Sequence, residues 1–186
     1  QDWQKRTKSA KPWTDWSRYP VTVCIAAICS HQGQEMIVGV TDCMLTAGDN
    51  SFQFEPFRAK AYAFVNGSIS LFAGDITDHT RIVGDAFITV DIAGHTAIQH
   101  MADVYAETYQ EFRSKCAETI FLKPLKLNLK SFVQQQKTMR ESRVKQLMEQ
   151  LQNYRLELVT IIAGVDGSGG HLFIVENPGL VICRDG

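Results

Sequence analysis

The sequence predicts an α+β domain in which two antiparallel sheets pack together and are covered by helices. Strand-like segments fill the first part of residues 21–186, helical segments fill the middle, and strand-like segments return at the end. The dipeptide Asn66-Gly67, with apolar segments on both sides, is the strongest short signal for an antiparallel hairpin. Hairpins on either side of a helical pair therefore favour packed antiparallel sheets.

Residues 1–20 differ from the rest of the chain in composition. They contain five Lys or Arg residues against two Asp, and all three tryptophans. No helical or strand period organises them, so we predict a flexible leader before a single domain at 21–186.

The first strands follow directly. Residues 21–29, "VTVCIAAIC", form a continuous apolar run rich in β-branched residues, which is typical of a strand buried on both faces. The polar residues 30–35 predict a turn around Gly33, residues 36–45 a second strand, and "TAGDN" at 46–50 another turn.

Helices are expected in the middle of the chain. The helical signal is weak at 75–90, whereas apolar residues at 99–120 keep helical spacing up to a break at Pro124. A further helical region is predicted at 128–155, with a capping box at Thr138 to Glu141 starting its second part.

Strands return after these helices. The apolar segments are "LELVTIIAGV", "HLFIVE" and "LVICRD", and the turns "DGSGG" and "NPG" separate them. This end of the chain is therefore predicted to form two consecutive hairpins.

Composition excludes several classes of protein. The chain of 186 residues is 45% hydrophobic and 21% charged with a net charge of −1, so it lacks the basic excess of a nucleic-acid binder. No apolar run approaches the roughly 18–20 residues that span a bilayer. The five histidines show no ligand spacing, so neither a metal nor another cofactor is predicted.

The cysteines indicate a reducing compartment. They are odd in number and scattered, without a C-x-x-C pair, which does not fit a disulfide scaffold. We therefore expect a cytoplasmic protein. The five positions are Cys24, Cys29, Cys43, Cys116 and Cys183.

Four residues are candidates for chemistry, each with an ordinary alternative. Asp42 ends an apolar strand, where a buried carboxylate needs a partner, or it caps a turn. Lys60 lies between alanines in a strand pattern, either pointing inward or solvated at an edge. Gly74 lies where a strand gives way to a helix, so its N–H can hold an oxyanion or it serves only the turn. Thr22 alone is an ordinary strand residue, and only the joint spacing is informative.

That joint spacing resembles a known family. "TVCIAAIC", "MIVGVTDCMLTAGD", "AKAYAF" and "LFAGD" are similar to the N-terminal half of a proteasome β-type subunit, and "LELVTIIAGVDGSGGHLFIVENPGLVICRDG" to its later strand pair. The resemblance is strongest to bacterial proteasome-like proteins that begin Met-Thr-Val-Cys-Ile-Ala-Ala. Its most specific pieces are D-x-x-x-T-A-G from Asp42 to Gly48, Lys60, and Ala73-Gly74. The segment between Thr22 and Asp42 is a few residues longer than in typical members.

The resemblance implies an N-terminal-nucleophile hydrolase with a four-layer αββα sandwich. In that family a threonine at the mature N-terminus is the nucleophile, and its free α-amine, with a pKa near about 7.7–8.0, is the general base. The implied catalytic residues are Thr22 as nucleophile, Lys60 as the cation that activates it, Asp42 as the partner of Lys60, and Gly74 as the oxyanion donor. The implied peptide-binding residues are Thr46, Ala47 and Gly48.

Thr22 fills this role only as the first residue. Val21 occupies the place of the initiator Met, so one interpretation is translation from a GTG codon at Val21, with residues 1–20 wrongly joined to the gene. The other is a propeptide cleaved after Val21. Family members also continue into a Gly-Ser-Gly stretch and a later aspartate, so the domain is expected to be C-terminally incomplete.

The first hypothesis for function is a threonine peptidase that cleaves peptides or unfolded proteins inside a self-assembled homo-oligomeric ring. An ATPase partner is left open, and no nucleic acid or membrane is expected. The alternatives are a catalytically silent subunit with a role in assembly and an amidohydrolase that acts on a small amide. Cys24 is a weaker candidate for the nucleophile, because it lies two residues inside the strand.

Overall fold

The computed structural model describes residues 22–43, 45–47, 52–54, 60–63, 67–93 and 96–184. For 45–47, 52–54 and residue 93 it describes the backbone alone. The predictions for the leader at 1–20, for Val21 and for Gly48 lie outside the described residues.

The described strands form three antiparallel sheets. Two are hairpins, β1 with β2 and β3 with β4, and the third has five strands in the order β5-β6-β7-β8-β9. Every pairing joins strands that are consecutive in the chain. The strands are β1 Cys24–His31, β2 Gln34–Thr41, β3 Leu45–Ala47, β4 Phe52–Phe54, β5 Ala61–Ala63, β6 Ile69–Gly74, β7 Leu158–Asp166, β8 Gly169–Glu176 and β9 Leu180–Cys183.

The turn between β1 and β2 is tighter than the sequence predicted. Gln32 and Gly33 both have positive φ, 53° and 79°, as a two-residue hairpin turn of the right twist requires. His31 therefore pairs directly with Gln34, and most of the predicted turn at 30–35 belongs to the strands.

Four α-helices are described: α1 Ile76–Ala93, α2 Ile98–Ala117, α3 Leu129–Gln135 and α4 Glu141–Asn153. The weak signal at 75–90 thus corresponds to an 18-residue helix. After α2 the chain continues in a π turn and a short 3₁₀ turn that contains Pro124, and left-handed Lys126 (φ 58°) ends the element. Among the described residues no helix has the length and apolar content needed to cross a membrane.

The predicted capping box at Thr138 to Glu141 is wrong. The Thr138 hydroxyl donates instead to the Gln135 carbonyl, and α4 begins without a side-chain cap. The capping box lies at the start of α3, where Asn128 and Ser131 each bind the other's backbone N–H. The Thr138 hydroxyl is already bonded within the 3₁₀ turn that precedes α4. A pattern of four residues does not reveal that turn.

The main core lies between the five-stranded sheet and helices α1 and α2. Phe72 of β6, Ile162 of β7 and Val175 of β8 are fully buried there against the helices. Strand β1 and strand β2 pack on the other side of this sheet. The largest fully buried side chains of the helices in this core are Ile82, Ile98, Met101, Tyr105 and Tyr109.

The two sheets approach each other closely at glycines. A Cβ on Gly39 of β2 would lie 2.8 Å from Ile69 Cδ1, and a Cβ on Gly170 of β8 would lie 2.7 Å from Ile28 Cγ2. The described residues thus form helices, sheet and hairpin in layers, which confirms an α+β class built of antiparallel sheets. The prediction that the first strand is buried on both faces does not hold among the described residues. The outer face of the hairpin exposes an apolar surface made of Val23, Ile25, Met36, Val38 and Val40.

A second, smaller core holds the helices that follow α2. Leu122, Phe132 and Leu147 are buried together in it. Val144 and Leu151, which lie in the helical region predicted at 128–155, pack against this cluster. The helical region between α2 and β7 therefore has an apolar centre of its own.

Candidate active site

Lys60 lies immediately before β5, and its side chain points inward. The residue is only 5% exposed, so the alternative of a solvated edge lysine does not hold. Its carbonyl accepts the N–H of Phe72 at 3.3 Å, which fixes the start of β5 on β6. A buried ammonium requires a counter-charge and hydrogen-bond acceptors, and the chain supplies both.

The counter-charge is Asp42, which directly follows β2. Its Oδ1 lies 2.9 Å from Lys60 Nζ, which is the distance of a close ion pair. Its Oδ2 accepts the Val23 N–H at 3.0 Å, and the Asp42 N–H donates to the Val23 carbonyl at 3.1 Å. Asp42 is thus held on the strand that carries Thr22.

Thr22 is the acceptor for the same ammonium. Lys60 Nζ donates to Thr22 Oγ1 at 2.6 Å, a short charge-assisted hydrogen bond. Three of the four predicted catalytic residues therefore meet at one point. A cation on a hydroxyl oxygen stabilises its alkoxide and lowers the cost of removing its proton.

Gly74 is the last residue of β6, directly before the Asp75 that caps α1. Asp75 Oδ1 accepts the N–H groups of Thr77 and Asp78 at 2.7 and 3.0 Å, so the predicted change from strand to helix occurs here. Gly74 has φ +122°, and a Cβ would lie 1.8 Å from the Glu157 carbonyl oxygen. This close approach accounts for the glycine, and the oxyanion role stays a prediction.

The predicted peptide-binding residues are described in part. Thr46 and Ala47 lie in β3, where they pair with Gln53 and Phe52 of β4. The predicted turn at 46–50 therefore begins as a strand, and β4 was not predicted. Gly48 lies outside the described residues.

Cys24 connects the strands of this site. Its Sγ donates to the Phe72 carbonyl at 3.0 Å and lies 3.4 Å from Thr41 Oγ1. Burial raises the pKa of this thiol. The sequence indicates Cys24 only as a weak candidate for the nucleophile and gives no sign of these contacts. Its position two residues after Thr22 does place both side chains on one face of the strand.

A buried aromatic network lies behind Phe72. The ring of His79 stacks on Phe72 with centroids 4.0 Å apart, and its Nδ1 lies 2.9 Å from the Tyr105 hydroxyl, which in turn lies 2.8 Å from Thr160 Oγ1. His79 is fully buried, and burial lowers its pKa to about 3. A neutral His79 therefore belongs to the packing behind the site.

Asp166, Ser168 and His171 form a second cluster in the turn between β7 and β8. Ser168 Oγ donates to Asp166 Oδ1 at 2.6 Å and lies 2.9 Å from His171 Nε2. In a catalytic triad the carboxylate binds the other ring nitrogen, whereas here it faces the same Nε2 at 3.3 Å. Asp166 Oδ2 accepts the N–H of Ile98, and hydrogen bonds from Ser168 and Ile98 lower the pKa of Asp166. The cluster therefore holds the turn against α2.

The sequence matches no protein-family model and no curated protein. Within the described part of the chain, no group of three or more His, Cys, Asp or Glu residues is placed to hold a metal ion.

Proposed function

We propose that the protein is an N-terminal threonine peptidase of the proteasome-like type. The observation that carries the proposal is the contact of Lys60 Nζ with Thr22 Oγ1 at 2.6 Å and with Asp42 Oδ1 at 2.9 Å. A buried cation bound to a hydroxyl, and oriented by a carboxylate from another hairpin, suits a hydroxyl that must lose a proton.

The reaction uses the chain that starts at Thr22. Its α-amine accepts the hydroxyl proton while Oγ1 attacks the carbonyl carbon of the substrate, and the tetrahedral oxyanion is stabilised by the Gly74 N–H. The C–N bond then breaks, the proton passes to the leaving amine, and an ester on Thr22 remains. Water activated by the same amine cleaves that ester. Lys60 transfers no proton in these steps, and Asp42 holds it on Oγ1.

Strand β3 supports the choice of an extended peptide as the substrate. It belongs to a two-stranded sheet and pairs with β4 on one side, so within the described residues its other edge is available to a further strand. Backbone pairing of a peptide with Thr46 and Ala47 would be β-augmentation, which recognises the main chain and tolerates many sequences.

The apolar outer face of β1 and β2 supports the four-layer form of the fold. Ile25 and Val40 pair across this hairpin and are each 56% exposed. A contiguous apolar face of this kind marks a surface that another element covers. In the αββα sandwich a second helical layer lies there, and association into a ring is the corresponding assembly.

The first experiment measures the intact mass and N-terminal sequence of the full-length gene product purified from its own or a related host. We expect a chain that begins at Thr22, and we expect it to hydrolyse fluorogenic peptides. Thr22→Ala should lower turnover by about 1,000-fold or more, as loss of a nucleophile does in other hydrolases.

Two results would count against this function. A purified chain that keeps residues 1–21 has an amide in place of the general base, and turnover by that chain would exclude the mechanism. An assembled protein that begins at Thr22 yet cleaves no peptide would favour the silent subunit instead.

A further inference from the structure

We propose that Cys24 is a positioning residue, whose thiol fixes the strand of Thr22 against the strand that ends at Gly74. The inference rests on the proposed peptidase function. It concerns how the nucleophile is placed, and it assigns no chemical step to the thiol.

The first support is the hydrogen bond between the two sheets. Cys24 Sγ donates to the Phe72 carbonyl at 3.0 Å. Thr22 lies two residues before Cys24, and Gly74 lies two residues after Phe72. Because strand side chains alternate between faces, Thr22 and Cys24 point to the same side of β1 and its N-terminal extension. The thiol thus fixes the separation of the two strands at a point two residues away from both Thr22 and Gly74.

The second support is the connection to Asp42. Cys24 Sγ lies 3.4 Å from Thr41 Oγ1, and the Thr41 hydroxyl donates to the Asp42 carbonyl at 3.1 Å. The thiol and the hydroxyl carry one hydrogen each for three short contacts, so one of the three is a packing contact. The thiol therefore touches the strand before Asp42 as well as β6.

The third support comes from Phe72, the acceptor of the thiol. Its N–H donates to the Lys60 carbonyl at 3.3 Å while its carbonyl receives Cys24. One residue of β6 is thus bonded to the strand of the nucleophile and to the residue that supplies the ammonium. A shift at this residue moves Thr22 relative to Lys60.

The chemical state of the thiol is consistent with this role. Burial is the main cause that raises the pKa of Cys24, and the charge of Asp42 raises it further. A thiol that keeps its proton remains a donor to a carbonyl and is a poor nucleophile.

The size of the effect separates positioning from simple support of the fold. A thiol hydrogen bond is weak and adds little stability. A nucleophile displaced by about 1 Å, in contrast, loses about 100-fold in rate. Loss of the donor should therefore affect turnover far more than unfolding.

The test compares Cys24→Val, which removes the donor, with Cys24→Ser, which keeps one, in the full chain processed to Thr22. We expect Cys24→Val to lower kcat by about 10- to 100-fold with KM within about twofold, and Cys24→Ser to recover most of the loss. Cys24→Ala replaces the valine variant if that one does not fold.

The control is Cys29→Ala on the same strand. Within the described residues Cys29 Sγ makes a long hydrogen bond to the Ala27 carbonyl of its own strand, at 4.0 Å, so kcat should stay at the unmodified value. Crystal structures of the variants supply a readout that needs no activity. The Lys60 Nζ to Thr22 Oγ1 distance should remain near 2.6 Å in Cys24→Ser and exceed about 3.2 Å in Cys24→Val.

Two outcomes would overturn the inference: an unchanged kcat in Cys24→Val, or equal losses in the serine and valine variants. Failure of the peptidase function itself gives a different result, namely no turnover by the unmodified chain beginning at Thr22. In that case the Lys60–Thr22 distances in the variants decide whether the thiol positions Thr22.

Discussion

Asp42 and Lys60 belong to different hairpins and meet with 2.9 Å between Oδ1 and Nζ. The lysine side chain is 6% exposed and the aspartate side chain 26%, so the cation is the more deeply buried partner. This asymmetry determines how the two residues respond to substitution. The ion pair also ties the first hairpin to the five-stranded sheet.

Asp42→Asn is expected to destabilise the protein more than Lys60→Met. The asparagine leaves a buried ammonium without its counter-charge, which costs about 1–3 kcal/mol of unfolding free energy. The methionine fills the same space without a charge, and Asp42 keeps the Val23 N–H and its partial exposure. Urea unfolding of both variants measures the difference.

The double variant Asp42→Asn/Lys60→Met is the matched control for this pair. Its stability should return close to that of Lys60→Met alone, because no buried charge remains to be compensated. Single variants of equal stability, or strictly additive losses, would show that the ion pair is not coupled.

Acid should destabilise the fold through His79. Burial lowers its pKa to about 3, while an unfolded histidine titrates near about 6.5. Between these values the unfolded chain binds the extra proton. The stability contributed by neutral His79 is therefore complete above about 6.5 and is lost as pH falls towards 3, with a slope of up to about 1.4 kcal/mol per pH unit.

Two variants test the origin of that slope by denaturant unfolding from pH 7 to pH 4. His79→Phe removes the titrating group. It should lower the slope of unfolding free energy against pH by the equivalent of about one proton. Tyr105→Phe removes the hydroxyl that lies 2.9 Å from Nδ1 but not the titration, so the slope should persist. An unchanged slope in His79→Phe would assign the acid sensitivity to other groups.

Gly74 and Gly84 should respond in opposite directions to alanine. At Gly74 a Cβ meets the Glu157 carbonyl oxygen at 1.8 Å and the backbone has φ +122°, so Gly74→Ala should cost more than about 3 kcal/mol or prevent folding. Gly84 lies exposed in α1 with nothing within 4 Å of a Cβ, and Gly84→Ala should add about 0.5–1 kcal/mol. Thermal unfolding compares the two, and a tolerated Gly74→Ala would contradict the close approach to Glu157.

The sequence predicted the consecutive hairpins well because their signals are local. Strands β7, β8 and β9 and the turns between them follow the apolar segments and turn residues closely. Strand β4 was missed because three residues are too few to show a period. The helical signal of α1 was weak because the exposed apolar residues Phe87, Ile88 and Ile92 obscure its buried stripe. Local patterns also placed Thr138 in a cap that the folded chain does not form.

The burial of Lys60 is the point at which local pattern was least informative. Alanines on both sides fit either an edge position or an interior one, and the choice depends on Asp42 and Thr22, which lie far away in the chain. The link from Cys24 to Phe72 likewise joins residues 48 positions apart. Such contacts arise from how the hairpin stacks on the sheet, and no single window of sequence contains that information.

Arg113 links α2 to the C-terminal end of α4, and its loss should loosen α4. Its guanidinium donates to the carbonyls of Leu151, Gln152 and Tyr154 at 2.6–3.1 Å, which satisfies the C-terminal end of α4. Arg113→Met leaves these carbonyls without a cation, so we expect a loss of about 2 kcal/mol and faster hydrogen exchange across Glu141–Asn153.

Variants at two positions separate this contact from a general effect of charge. Arg113→Lys should recover only part of the protection, because a point charge cannot reach several carbonyls at once. Arg143→Met is the matched control: Arg143 is exposed on α4, its Nη1 donates to Gln146 Oε1, and its loss should leave exchange nearly unchanged. Peptide turnover should be similar in all three variants, since neither Arg113 nor Arg143 contacts the proposed catalytic residues. Equal exchange in Arg113→Met and Arg143→Met would show that α4 is held by its apolar contacts alone.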